Sequence, residues 1–132
     1  MIPRGIRNNN TGNIRIGNQA WQGKIADNTD TVFEQFDTME HGIRALMIIL
    51  RTYMAKYKCD TIEKIIRRFA PSNENDTEAY IENVVRHTGF SRKEKLTFNE
   101  DTIFGLVMAI SFHENGGYYI TEQQIKAAWN ML

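Results

Sequence analysis

Between Ile43 and Tyr57 the residues Ile43, Leu46, Met47, Leu50, Tyr53, Met54 and Tyr57 recur at three- and four-residue spacing. That period places them on one stripe of an α-helix. A stripe this long needs burial against other elements, so it commits the chain to a fold built by packing helices. The spacing predicts a helix over residues 38–57. Asp60 is expected to cap a shorter helix carrying Ile62, Ile65, Ile66 and Phe69, which Pro71 stops. A third helix starts at Asp76 or Thr77, presents Tyr80, Ile81, Val84 and Val85, and ends at Gly89. Ser91 with Glu94 suits a brief capped turn. A fourth helix is expected over residues 100–114, with Ile103, Leu106, Val107 and Ile110 inward, terminated by Gly116 and Gly117. Thr121 with Gln124 opens a last helix whose apolar side is Ile125, Ala128, Trp129 and Leu132.

Residues 1–36 read differently. They are rich in Asn, Gly and Thr, with short apolar pieces at Ile14, Ile16 and Trp21 and turn-forming glycines at Gly12, Gly17 and Gly23. This pattern predicts a small β-hairpin or a loop region held down by Trp21. The expected architecture is one α+β, mainly α domain over residues 1–132: a β/loop region over 1–36 and about five helices over 37–132.

Composition narrows the function classes. Sixteen basic residues balance sixteen acidic ones, so bulk charge gives no argument for nucleic-acid binding. No stretch approaches the roughly 20 apolar residues of a membrane span. Cys59 stands alone, so no internal disulfide forms. His41, His87 and His113 show no metal-ligand grouping, and the glycines make no phosphate loop, so neither metal nor cofactor is expected. The first residues lack the apolar core of a secretory signal. The chain is expected to be a monomer made in the cytoplasm, reaching its site of action after release or as part of a phage particle.

Glu114 breaks the pattern of its helix. It lies four residues after Ile110, seven after Val107 and eleven after Ile103, on the inward stripe. Desolvation there raises a carboxyl's pKa, and a proton held near neutral pH is what a general acid needs. Asn115, Gly116 and Gly117 end the helix, which would put the carboxyl at the lip of a cavity. Tyr118 and Tyr119 follow, and aromatic rings suit the faces of sugars. The alternative is a frayed last turn with the carboxylate reaching water or a basic partner.

The run from Arg4 to Arg15, RGIRNNNTGNIR, resembles the opening of a phage and bacterial family of lysozyme-like proteins that read RGIRNNNPGNI. Trp21-Gln22-Gly23, Phe33-Glu34-Gln35-Phe36 and Gly42-Ile43-Arg44-Ala45 follow in the family's order, with Thr11 in place of its usual proline. The opening is also similar to the β-region of cell-wall glucosaminidases. Pro71 with Glu74 to Ile81 resembles a late helix of soluble lytic transglycosylases. In those enzymes the catalytic helix precedes these elements, whereas here Leu106 to Gly117 looks like that helix moved toward the C-terminal end. The resemblance implies a circularly permuted lysozyme-like domain.

It further implies cleavage of the β-1,4 bond between N-acetylmuramic acid and N-acetylglucosamine in peptidoglycan strands, with Glu114 as the acid. A second carboxylate would allow hydrolysis; lytic transglycosylases instead use the muramic acid's own hydroxyl and leave a 1,6-anhydro product. Glu34, Asp37 and Glu40 are the candidates for a second carboxylate. Glu40, just before the Gly42-Ile43-Arg44-Ala45 run, reads first as an acidic first-turn residue favoured by the helix dipole. Asn10 and Asn13 could bond N-acetyl groups or hold turns, and Gln35 could contact substrate or be a surface amide. Tyr80, by resemblance, should line the cleft; by spacing alone it is a core aromatic. The rival to the enzyme is an inactive lysozyme-like module, glycan-binding or structural in a phage.

Overall fold

The computed structural model describes all 132 residues. Six helices follow one another: α1 (Arg4–Arg7), α2 (Met39–Ala55), α3 (Ile62–Phe69), α4 (Thr77–Thr88), α5 (Glu100–Asn115) and α6 (Glu122–Trp129). The fold is mainly α. No helix is long and apolar enough to cross a membrane.

The core forms where the two longest apolar stripes meet. Ile43, Leu46, Met47 and Leu50 of α2, and Ile103, Leu106, Val107 and Ile110 of α5, have no exposed surface. Around them α4 packs on α5 and α3, while α6 closes over α2. Each expected helix has a local reason to start or stop. Thr38, Asp76, Asn99 and Thr121 accept backbone N–H groups at their N-termini, and Thr121 with Gln124 makes the full reciprocal box. Gly89 and Gly116 take the left-handed conformation that ends α4 and α5.

Several sequence expectations need correction. The cap of α3 is Thr61, whose hydroxyl accepts from Lys64 N–H, while the Asp60 carbonyl accepts from Leu96 N–H. Helix α2 stops at Ala55, so Tyr57 leaves the stripe and lies exposed under the Arg68 guanidinium. The brief turn expected at Ser91 and Glu94 is present, with Glu94 accepting from Ser91 N–H. Leu132, expected inside, is exposed.

The expected hairpin is replaced by the short helix α1 and two isolated antiparallel bridges, Arg15 with Phe33 and Lys24 with Phe36. Side chains take the bonds a strand ladder would have used. Asn10 donates to the Ile14 and Glu34 carbonyls and accepts from Ile14 N–H. Asp30 accepts from Val32 and Phe33 N–H. Asn and Asp compete with regular structure in this way.

This irregular segment is nonetheless firmly docked. A Cβ on Gly42 would overlap the Asn9 carbonyl oxygen, so α2 admits the opening loop only because residue 42 has no side chain. A Cβ on Gly5 would lie 2.6 Å from Asn115 Oδ1 and 2.7 Å from Asn13 Oδ1. The Thr11 hydroxyl bonds the Ser111 hydroxyl, and Asn115 Nδ2 donates to the Thr11 carbonyl at 3.0 Å. The opening loop is thus bonded to the last turn of α5.

Candidate active site

That junction holds Glu114. Its helix ends one residue later, and its carboxyl group lies at the wall of a cleft of about 240 Å³. Gly12, Asn13, Ile14, Arg15 and Phe33 from the opening segment, Ile49 and Tyr53 of α2, and Phe69, Ala70, Glu74 and Asn75 complete the lining. The carboxyl is partly buried and receives two donors. Asn13 Nδ2 donates to Oε1 at 2.8 Å, and the Tyr80 hydroxyl donates to Oε2 at 2.7 Å.

The balance of forces shifts Glu114 toward its protonated form relative to a free carboxyl. Burial raises the Glu114 pKa, while the bonds from Asn13 and Tyr80, which favour the ionised form, lower it by less. The net displacement is upward. Tyr80 itself is raised well above the ordinary tyrosine range, first by burial and then by the neighbouring Glu114 charge, so it remains a donor. Its ring stacks on His113 at a centroid distance of 3.7 Å and meets Phe69 edge-on. His113 is in turn bonded to Asn83, and burial lowers its pKa, which favours the neutral ring.

Asn13 is positioned by its backbone. It adopts φ 50°, a left-handed conformation that Asn tolerates. Its Oδ1, wedged toward Gly5, has no hydrogen-bond partner, which leaves Nδ2 aimed at Glu114.

The other expected site residues divide sharply. Tyr80 is 1% exposed and does not line the cleft; it supports Glu114 from behind. Asn10 is fully buried and spends its amide on the loop backbone, so it holds a turn. Gln35 braces the opening segment through Asn8 and Thr29, away from the cleft. Tyr118 is exposed and bonded to His87, beside a separate hollow formed with Phe104, Gly105 and Met108.

None of the expected second carboxylates lines the cleft. Glu40 is a partly buried first-turn residue of α2, and its dipole reading is the one that fits. Asp37 pairs with His41 at 2.6 Å. Glu34 is buried, accepting from Gly17 N–H and pairing with Lys24 at 3.1 Å. The carboxylate that does share the cleft with Glu114 is Glu74, which sequence reasoning missed. It reaches across to Arg15 at 2.9 Å, a pairing 59 residues apart in the chain.

The sequence of this small, mainly helical domain is similar to that of a bacteriophage protein. The chain belongs to the family of a bacteriophage protein, Protein P5 of Pseudoalteromonas phage PM2. The two are 45% identical over 126 residues, covering 93% of this chain and 78% of that relative. No family model matches the chain.

Proposed function

We propose that this phage protein is a lysozyme-like glycosidase that cuts the MurNAc-β-1,4-GlcNAc bond of peptidoglycan, on a circularly permuted version of the lysozyme-like domain. The observation that carries the reading is the Glu114 carboxyl, held by Asn13 and Tyr80 at a cleft and biased by burial toward its protonated form. The contact between residues near the start of the chain and the last turn of α5 is the juxtaposition such a permutation requires.

In this scheme protonated Glu114 gives its proton to the glycosidic oxygen as the bond to the muramyl anomeric carbon breaks. The cleft offers one shielded acid; its other carboxylate, Glu74, has a side chain half exposed to solvent on the Arg15 side of the cleft. That inventory favours capture of the anomeric carbon by the sugar's own 6-hydroxyl. The hydroxyl proton returns to the Glu114 carboxylate, so the acid is regenerated and no water is consumed. Tyr80 and Asn13 keep the carboxyl oriented through both steps.

The test is digestion of purified peptidoglycan by the native protein and by Glu114→Gln, with soluble muropeptides separated by mass. The reading expects release by the native protein alone, with products one water lighter than hydrolysed disaccharides. Equal release by both proteins would remove Glu114 from the chemistry. No release by the native protein would leave a glycan-binding or structural phage module.

A further inference from the structure

Two arginines flank the Phe33 ring at the rim of the cleft, and they are used differently. The Arg4 guanidinium lies 4.6 Å from the ring centroid and grips Asp30 with two bonds of 2.7 Å, from Nε and Nη2. Asp30 is shielded, with its side chain 8% exposed, and it also receives Asn8 and two backbone N–H groups. Arg4 is therefore a structural clamp whose fork is filled.

Arg15 sits 5.9 Å from the same ring, with its side chain 62% exposed, and gives a single bond from Nη2 to Glu74. Its Nε and Nη1 donate to nothing in the protein, and the Glu74 carboxylate accepts no other side-chain bond. A guanidinium has five N–H donors and prefers a two-pronged grip on a carboxylate. Exposed one-bond pairs of this kind contribute little and exchange readily. Arg15, Glu74 and Glu114 all line the one cleft, whose 240 Å³ is small for a ligand site.

We propose that Arg15 is the receptor for a carboxylate on the sugar strand, and that Glu74 is an internal stand-in which this carboxylate displaces. The inference rests on the glycosidase reading for the identity of the strand. It makes the cleft selective for acidic muramyl saccharides over neutral chitin-like ones. The carboxylate can come from the lactyl ether of muramic acid or from its peptide stem. Releasing Glu74 frees the segment between α3 and α4 from the opposite rim, which couples recognition of the acid to opening of the cleft.

Binding separates this inference from the cleavage reaction. Calorimetric titration of Glu114→Gln protein with chitotetraose, a stem-free GlcNAc-MurNAc tetrasaccharide and its stem-bearing counterpart compares the sources. The expected result is roughly tenfold tighter binding of an acidic ligand than of chitotetraose, in line with a charge-assisted two-pronged bond. Preference for both acidic ligands identifies the lactyl carboxylate, and preference for the stem-bearing one alone identifies the stem. Adding Arg15→Gln should erase the preference, and adding Glu74→Gln should strengthen it. Equal binding of all three, retained preference after Arg15→Gln, or no binding at all would overturn the proposal. Selective acidic binding by a native protein that releases no muropeptides would sink the glycosidase reading and leave Arg15's role intact.

Discussion

Tyr80→Phe isolates one hydroxyl at the centre of the site. The ring keeps its stack on His113 and its edge contact with Phe69, so packing is preserved. What disappears is the 2.7 Å bond to Glu114 Oε2. When Glu114 is ionised, this is a hydrogen bond to a charged group and is worth about 1.5–3 kcal/mol. When Glu114 is protonated the bond is between neutral groups, worth about 0.5–1.5 kcal/mol. The substitution should therefore cost more stability above Glu114's titration than below it. By the same difference it should raise the Glu114 pKa further, since the Tyr80 bond lowers it in the native protein. Urea unfolding on either side of the titration measures the first effect. The alkaline limb of muropeptide release measures the second, because a general acid fails once it is deprotonated. That limb should move to higher pH. An equal cost at both pH values, or a limb that stays put or moves down, would refute the reasoning.

Glu114→Gln should flatten the dependence of stability on pH: a carboxyl raised above its ordinary value of 4.5 leaves stability intact below that pH and erodes it as pH rises through the folded value. Denaturation midpoints measured across that range in both proteins check the sign. Glu40→Gln should leave peptidoglycan turnover within about twofold, since Glu40 does not line the cleft and its helix-dipole effect from a partly buried first turn is worth roughly 0.3–2 kcal/mol of stability. Gly42→Ala should cost more than about 4 kcal/mol or abolish folding, because its methyl overlaps the Asn9 carbonyl; a denaturation midpoint close to that of the native protein would show that the opening loop is free to move off α2.

The helices were legible because their signals are local. Asp76 and Gly89 bracket α4 as their types suggest, and the Thr121–Gln124 box stands where it was expected. Glu114 was legible for a related reason: its place on an apolar stripe predicts shielding, and burial is the largest influence on its pKa. What escaped depends on contacts distant in the chain. Asn10 and Asn13 are the same residue type in one run, yet one is buried against its own loop and the other is turned toward Glu114 across 101 residues. Their fates are set by the Gly5 packing and by a positive φ at Asn13. Glu74 carries no mark in its own neighbourhood, because only the folded chain brings it to Arg15. Tyr80 was expected at the cleft surface by resemblance, whereas its burial places the hydroxyl, and not the ring, at the service of the acid. The Gly42 position in the family-like motif has a plain steric cause that only the docked loop reveals.

The central claim is that burial outweighs two hydrogen-bond donors at a single carboxyl. Carbon-detected NMR titration of the Glu114 side chain in the intact protein measures that balance directly. The account predicts a midpoint above 4.5 that climbs further in Asn13→Ala, where a donor to the ionised form is lost. A midpoint at or below 4.5, or one indifferent to the loss of Asn13, would contradict it.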